Sequence, residues 1–183
     1  MPSTAEMSSA IEIATRSALE QLFNTVPESF YYCALITTGE GLAPCLAAWS
    51  WEALERAVNQ SESPAQARAW LQWSWGDSPY LAYGDAFFGP VKELFFKRDA
   101  MMRLCTDEES ARELDVRLAC MASALGNLDA QGLFGSDEQR SAILINAEVS
   151  PPDYTNTERA LQLNPGGALL DDWLRDCAEP PPA

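Results

Sequence analysis

Apolar positions between residues 4 and 24 fall on one side of a helix: Ile11, Ala14, Ala18, Leu19, Leu22 and Phe23 form the stripe. Ser3 with Glu6, or Ser9 with Glu12, offers a capping box at its start, and Pro27 ends it. The period then changes. FYYCALIT at 30–37 is aromatic and β-branched, TGEG at 38–41 is a turn, and Leu42 to Trp49 returns as a strand that Pro44 pushes towards an edge. Ser50 caps a short helix, WEALERAVN, and Ser63-Pro64 opens another. Trp70 and Trp73 continue the face of Ala67 and read as core.

Helical period resumes after Gly89-Pro90 with Val91, Leu94, Phe95 and Met102 facing inward. Thr106 and Glu109 form the next capping box. Ala111, Leu114, Leu118, Met121, Leu125 and Leu128 then recur at heptad-like spacing, which reads as a central core helix, with a coiled-coil dimer contact as the alternative. GLFG at 132–135 turns the chain, and 141–149, SAILINAEV, is a strand closed by Pro151-Pro152. Thr155 with Glu158 caps a short helix that stops at Pro165. A final helix, ALLDDWLRDCAE, turns Leu169, Leu170, Trp173 and Leu174 to one side. Together these elements predict one α+β domain over residues 1–178, with a disordered tail at 179–183. A small, mostly antiparallel sheet would be covered by the long helix and its neighbours, with a further strand near 80–84 as an option.

Charge changes the picture. There are 27 acids against 12 bases, a net charge of −15, with ten acids to three bases in residues 1–91 and seventeen to nine in 92–183. A field spread over the whole body repels nucleic acid and anionic membrane and attracts basic proteins. No apolar run reaches a membrane span and no signal peptide opens the chain, so the expected location is the cytoplasm. The five cysteines have no CxxC spacing; Cys33, Cys105 and Cys120 lie among apolar residues and read as reduced thiols, with a Cys33–Cys45 bridge across the hairpin as the alternative.

Catalytic chemistry is scarce. Histidine is absent, which removes the Ser-His-Asp and Cys-His arrangements and the commonest zinc ligand. No GxGxxG or Walker loop occurs, and NPGG at 164–167 follows a helix and reads as its stop. Asp171, Asp172 and Asp176, or Asp107 to Glu109, could hold a divalent ion, but in so acidic a chain they read as surface charge. The expectation is a protein with no catalytic, cofactor-binding or metal residues.

One stretch remains. AWLQWSWGDSPYLAYGD at 69–85 mixes aromatics and acids without a cation. Trp75, Asp77, Tyr80, Tyr83 and Asp85 are the candidate partner-binding residues, because aromatic anchors dominate binding energy and carboxylates attract basic surfaces. Packing of Tyr80 and Tyr83 across a loop onto the sheet is the competing reading.

The order of these elements resembles the bacterial family called domain of unknown function 4303. The leading helix, FYYCALIT with its Thr-Gly turn, the tryptophans around Trp73 and Trp75, the long helix closing on GLFG, AILINAEV, and Leu163-Asn164-Pro165 carry the likeness over roughly residues 8–175. It implies a small bacterial protein without established catalytic residues, similar in size and charge to immunity proteins encoded beside antibacterial toxins. The function expected is therefore a non-catalytic acidic protein that binds and neutralises a basic cognate toxin, one acting on nucleic acid being necessarily basic. The alternatives are an adaptor or chaperone for a secreted effector, dimeric through the heptad-like seam, and an enzyme working with carboxylates alone.

Overall fold

The computed structural model describes residues 1–102 and 106–181, with the side chains of 100–102 left out. Met102 as an inward-facing side chain and Cys105 therefore lie outside the described residues. Helix α1 (Thr4–Thr25) starts at the Ser3–Glu6 capping box and ends before Pro27. Strands β1 (Phe30–Thr38) and β2 (Cys45–Ser50) form the expected hairpin. Helices α2 (Trp51–Asn59), α3 (Pro64–Leu71), α4 (Gly89–Met102), α5 (Asp107–Ala130) and the single turn α6 (Asp137–Ser141) precede β3 (Leu144–Ser150). Helices α7 (Tyr154–Leu163) and α8 (Ala168–Cys177) follow it.

The three strands lie in the order β2-β1-β3. β1 and β2 are antiparallel, with Ile36 opposite Cys45 and Tyr32 opposite Trp49. β3 joins the other side of β1 in parallel, with Tyr32 opposite Leu144 and Thr38 opposite Ser150. The α+β architecture thus stands, but the sheet is mixed, not mostly antiparallel. The reason lies in the connection: α5 carries the chain back across the sheet, so β3 enters in the same direction as β1.

Both sheet faces are buried. On one, Cys33, Leu35, Leu46, Ala48, Ile145, Ala147 and Val149 pack against α1, α4 and α5. Leu118, Met121, Leu125 and Leu128 of the heptad-like seam all point into this core, so this part of the seam is spent inside the fold, while Leu114 is half-buried and Ala111 exposed. Each fully buried leucine there contributes roughly 2 kcal/mol. On the other face, Tyr32, Ala34, Ile36, Ala47, Trp49 and Leu144 meet α2, Trp73, α7 and α8. Strand alternation places Cys33 in the first layer and Cys45 beside the second, which excludes a bridge between them; both are free thiols.

The outer edge of β3 is closed by side chains of α7 and of its C-cap, Asn164. Asn156 accepts from the Val149 N–H at 2.9 Å and donates to the Val149 carbonyl at 3.0 Å. Asn164 does the same for Ile145, at 2.8 and 2.7 Å. Arg159 donates to the Ala147 carbonyl at 2.5 Å. An edge strand otherwise offers these groups to any passing chain. The cap of α7 is Asp153, which accepts from the Thr155 N–H at 2.9 Å and from its hydroxyl at 2.5 Å. Thr155 is thus a donor inside the first turn, not the cap its spacing to Glu158 suggested.

Candidate functional site

Residues 69–85 form a strap over the free edge of β2. α3 stops at Leu71, and a short 3₁₀ turn at Trp75–Asp77 and another at Asp85–Phe88 carry the chain to α4. No strand forms near 80–84; these residues are turns, with Ala82 and Gly84 at positive φ. The Ser78 hydroxyl donates to the Ala48 carbonyl, and the Trp49 indole donates to the Ser74 carbonyl at 2.8 Å. Further on, the strap runs so close to α1 that a Cβ at Gly84 would lie 2.7 Å from that of Ala18. Tight packing, with positive φ, is what requires glycine there.

This geometry divides the five predicted residues. Tyr80 is half-buried: its ring meets Phe30 edge-on at 5.3 Å and its hydroxyl donates to Glu28 at 2.6 Å. Glu28 also receives the Ser50 hydroxyl and pairs with Arg56 at 2.7 Å. Burial works to raise the Glu28 carboxyl, but the bonds from Arg56, Ser50 and Tyr80 outweigh it and hold it at about 2. Tyr83 is half-buried against the first core, with its hydroxyl 3.0 Å from that of Thr25. Trp75 packs at the margin of the second core. Asp85 is exposed but pairs with Lys92 of α4 at 2.6 Å, so the strap is not without a cation. Asp77 is exposed and accepts from the Ser74 hydroxyl at 2.6 Å and the Trp70 indole N–H at 3.2 Å.

Trp70 was expected in the core beside Trp73. Trp73 is buried, but Trp70 is 73% exposed. The three-residue spacing implied a shared helix face; α3 ends between the two indoles, and its eight residues bury none of their number. The polar residues Gln66, Arg68 and Gln72 are the signal in the sequence that marks this segment as peripheral.

A second group of titratable residues lies on the far side of the sheet. Glu148 is buried, accepting from the Tyr32 hydroxyl at 2.8 Å and from the Asn146 amide at 3.2 Å. Burial pushes its carboxyl up, against the pull of those bonds and of the Arg159 guanidinium. The Cys177 thiol nearby is pushed up to about 12 by its own burial, with Glu148 adding to it. Such a thiol is a poor nucleophile. Asp172 and Asp176, candidate metal ligands by sequence, both pair with Arg175, at 2.8 and 3.0 Å. Among the described residues, no group of three or more Cys, Asp and Glu gathers closely enough to hold a metal ion. Nor is any helix among them long and apolar enough to cross a membrane.

Against known proteins, the model of one family, described as a domain of unknown function (DUF4303), matches residues 11–165. No curated protein and no solved structure matches the chain.

Proposed function

The chain belongs to the DUF4303 family, and from that premise we propose that it is a non-catalytic acidic binding protein, an immunity protein that neutralises a basic toxin in the bacterial cytoplasm. The observation that carries this reading is the fate of its cations. Arg16, Arg56, Arg68, Lys92, Arg98, Arg112, Arg117, Arg140 and Arg175 all stand in ion pairs with the protein's own acids. Arg159 is buried against backbone. Glu62, Asp107, Asp115, Glu138 and Glu158 stay outside these pairs and are exposed. The charge that faces solvent is thus overwhelmingly negative, and a basic partner is what it attracts.

The test is capture from the native cell with a tagged chain, washed at low and at high salt, followed by co-expression. The expected result is one basic protein that arrests growth when expressed alone and is harmless with this chain. Capture of nothing basic, or a basic partner whose toxicity this chain leaves unchanged, would overturn the reading.

A further inference from the structure

We propose that Trp70 and Asp77 form a receptor for an arginine side chain of the basic partner, an inference that rests on the binding-protein reading above. Trp70 is the most exposed large apolar side chain among the described residues. An isolated exposed apolar residue needs no explanation. One whose indole N–H is bonded to a carboxylate in the open does.

Trp70 is tethered to the core by a chain of hydrogen bonds. The fully buried Trp49 donates to the Ser74 carbonyl at 2.8 Å. The Ser74 hydroxyl donates to Asp77 Oδ2 at 2.6 Å, and the Trp70 Nε1–H donates to the same oxygen at 3.2 Å. The indole edge is therefore fixed while the ring stays open to solvent. Fixing an aromatic anchor before contact lowers the entropy lost on binding.

Both internal bonds end on Oδ2 of Asp77. Among the described residues no bond ends on Oδ1, which leaves it for an outside donor at the edge of an indole whose face is open to solvent. A cation is attracted by both. The nearest basic residue in sequence, Arg68, is engaged by Glu55. A guanidinium suits the place better than an ammonium, because it is flat enough to stack on the ring while its N–H groups reach a carboxylate. A second tryptophan, Trp51, is 38% exposed and stacked at 3.9 Å on Tyr31. The Tyr31 hydroxyl reaches the Gln72 carbonyl at 2.6 Å, two residues past Trp70. A second copy of this chain is a poor occupant: it brings another net charge of −15, and most of the described cations, Arg16, Arg56, Arg68 and Lys92 among them, are already paired with its own acids.

The probe is a fluorescein-labelled peptide alternating Arg and Gly, with a matched peptide carrying neutral citrulline for Arg. Binding is read by anisotropy at about 150 mM salt, where diffuse attraction is screened. We expect Trp70→Ala to weaken the Arg peptide about tenfold and Asp77→Asn about fivefold. Trp70→Phe, which keeps a ring face, should weaken it less than Trp70→Ala. The Trp70 indole N–H resonance should shift on titration, and the citrulline peptide should show none of these differences. Thermal melts check that each variant is folded, which its exposed position favours. Equal affinity of wild type, Trp70→Ala and Asp77→Asn overturns the receptor while leaving the capture of a basic partner to stand or fall on its own test. A dimer that Trp70→Ala dissociates would also overturn it, by showing the surface to be filled by a second copy.

Discussion

Glu148 shows how a single side chain can make stability depend on pH in an unusual direction. Its carboxyl is buried on the sheet with the Tyr32 hydroxyl and the Asn146 amide as partners, Arg159 on α7 and Cys177 on α8 facing it. Burial raises it above the ordinary carboxylate value of 4.5, so the folded chain keeps a proton that the unfolded chain releases. Its contribution is fully present below pH 4.5 and is lost as pH rises through the raised folded value. Both bonds from its neighbours end on Oε1, so glutamine preserves them. Urea denaturation of Glu148→Gln against wild type across pH 4.5 to 9 should show the variant losing less stability as pH rises. Parallel curves would mean Glu148 is not the source. This residue was not legible in the sequence, where AILINAEV reads simply as a strand with a polar position. The strap over β2 was half legible. Its aromatic-acidic character predicted an unusual surface, yet Tyr80 and Tyr83 turn inward to Glu28 and Thr25, and the outward indole belongs to Trp70. What separates these outcomes is where α3 ends, and no single residue announces that.

At the scale of elements, the β3–α7 seam is the clearest case of side chains completing a sheet. Asn164 replaces a missing neighbouring strand at Ile145, accepting its N–H and donating to its carbonyl. Removing it leaves a donor and an acceptor unpaired and half-covered, at a cost of about 1–3 kcal/mol. We expect Asn164→Ala to lower the melting temperature by roughly 3–10 °C and to increase aggregation on heating, read by differential scanning fluorimetry and light scattering. A variant that melts like wild type would show that water substitutes for the amide. Helices and the hairpin were readable because their signals are local: capping boxes at Ser3 and Thr106, the turn at TGEG, the stripe of α5. The direction of β3 was not, since it depends on how a chain of intervening helices returns across the sheet. Asn164 itself was visible only as a residue before a proline.

Over the whole molecule, charge was the most legible property, because it adds up without knowledge of the fold. What the fold contributes is its distribution. Arg98 and Arg117 are buried around Glu113, with Arg117 also reaching Asp99 at 2.6 Å and the Gly41 carbonyl at 2.5 Å. Cations used this way hold α4, α5 and the hairpin turn together and do little to offset the external field. Association with a basic partner should therefore be fast and salt-sensitive. Between about 20 and about 150 mM salt, stopped-flow measurements should show the association rate falling about tenfold or more, with the dissociation rate changing far less. A salt-insensitive association rate would indicate that shape, not charge, governs the encounter.

The parallel pairing of β1 with β3 also has a consequence in time. A ribosome delivers β1 early, and β2 can fold back on one side of it at once. The opposite edge of β1 waits for Leu144–Ser150. At ~5–20 residues per second, that edge stays open for roughly 5–20 s of synthesis. During that interval the nascent hairpin has two unguarded flanks, a floor of exposed Cys33, Leu35 and Leu46, and no α5 to cover it. A chain halted before its final strand is thus a sticky intermediate, and production of this protein should be more sensitive to ribosome stalling between residues 50 and 140 than to stalling after Ser150.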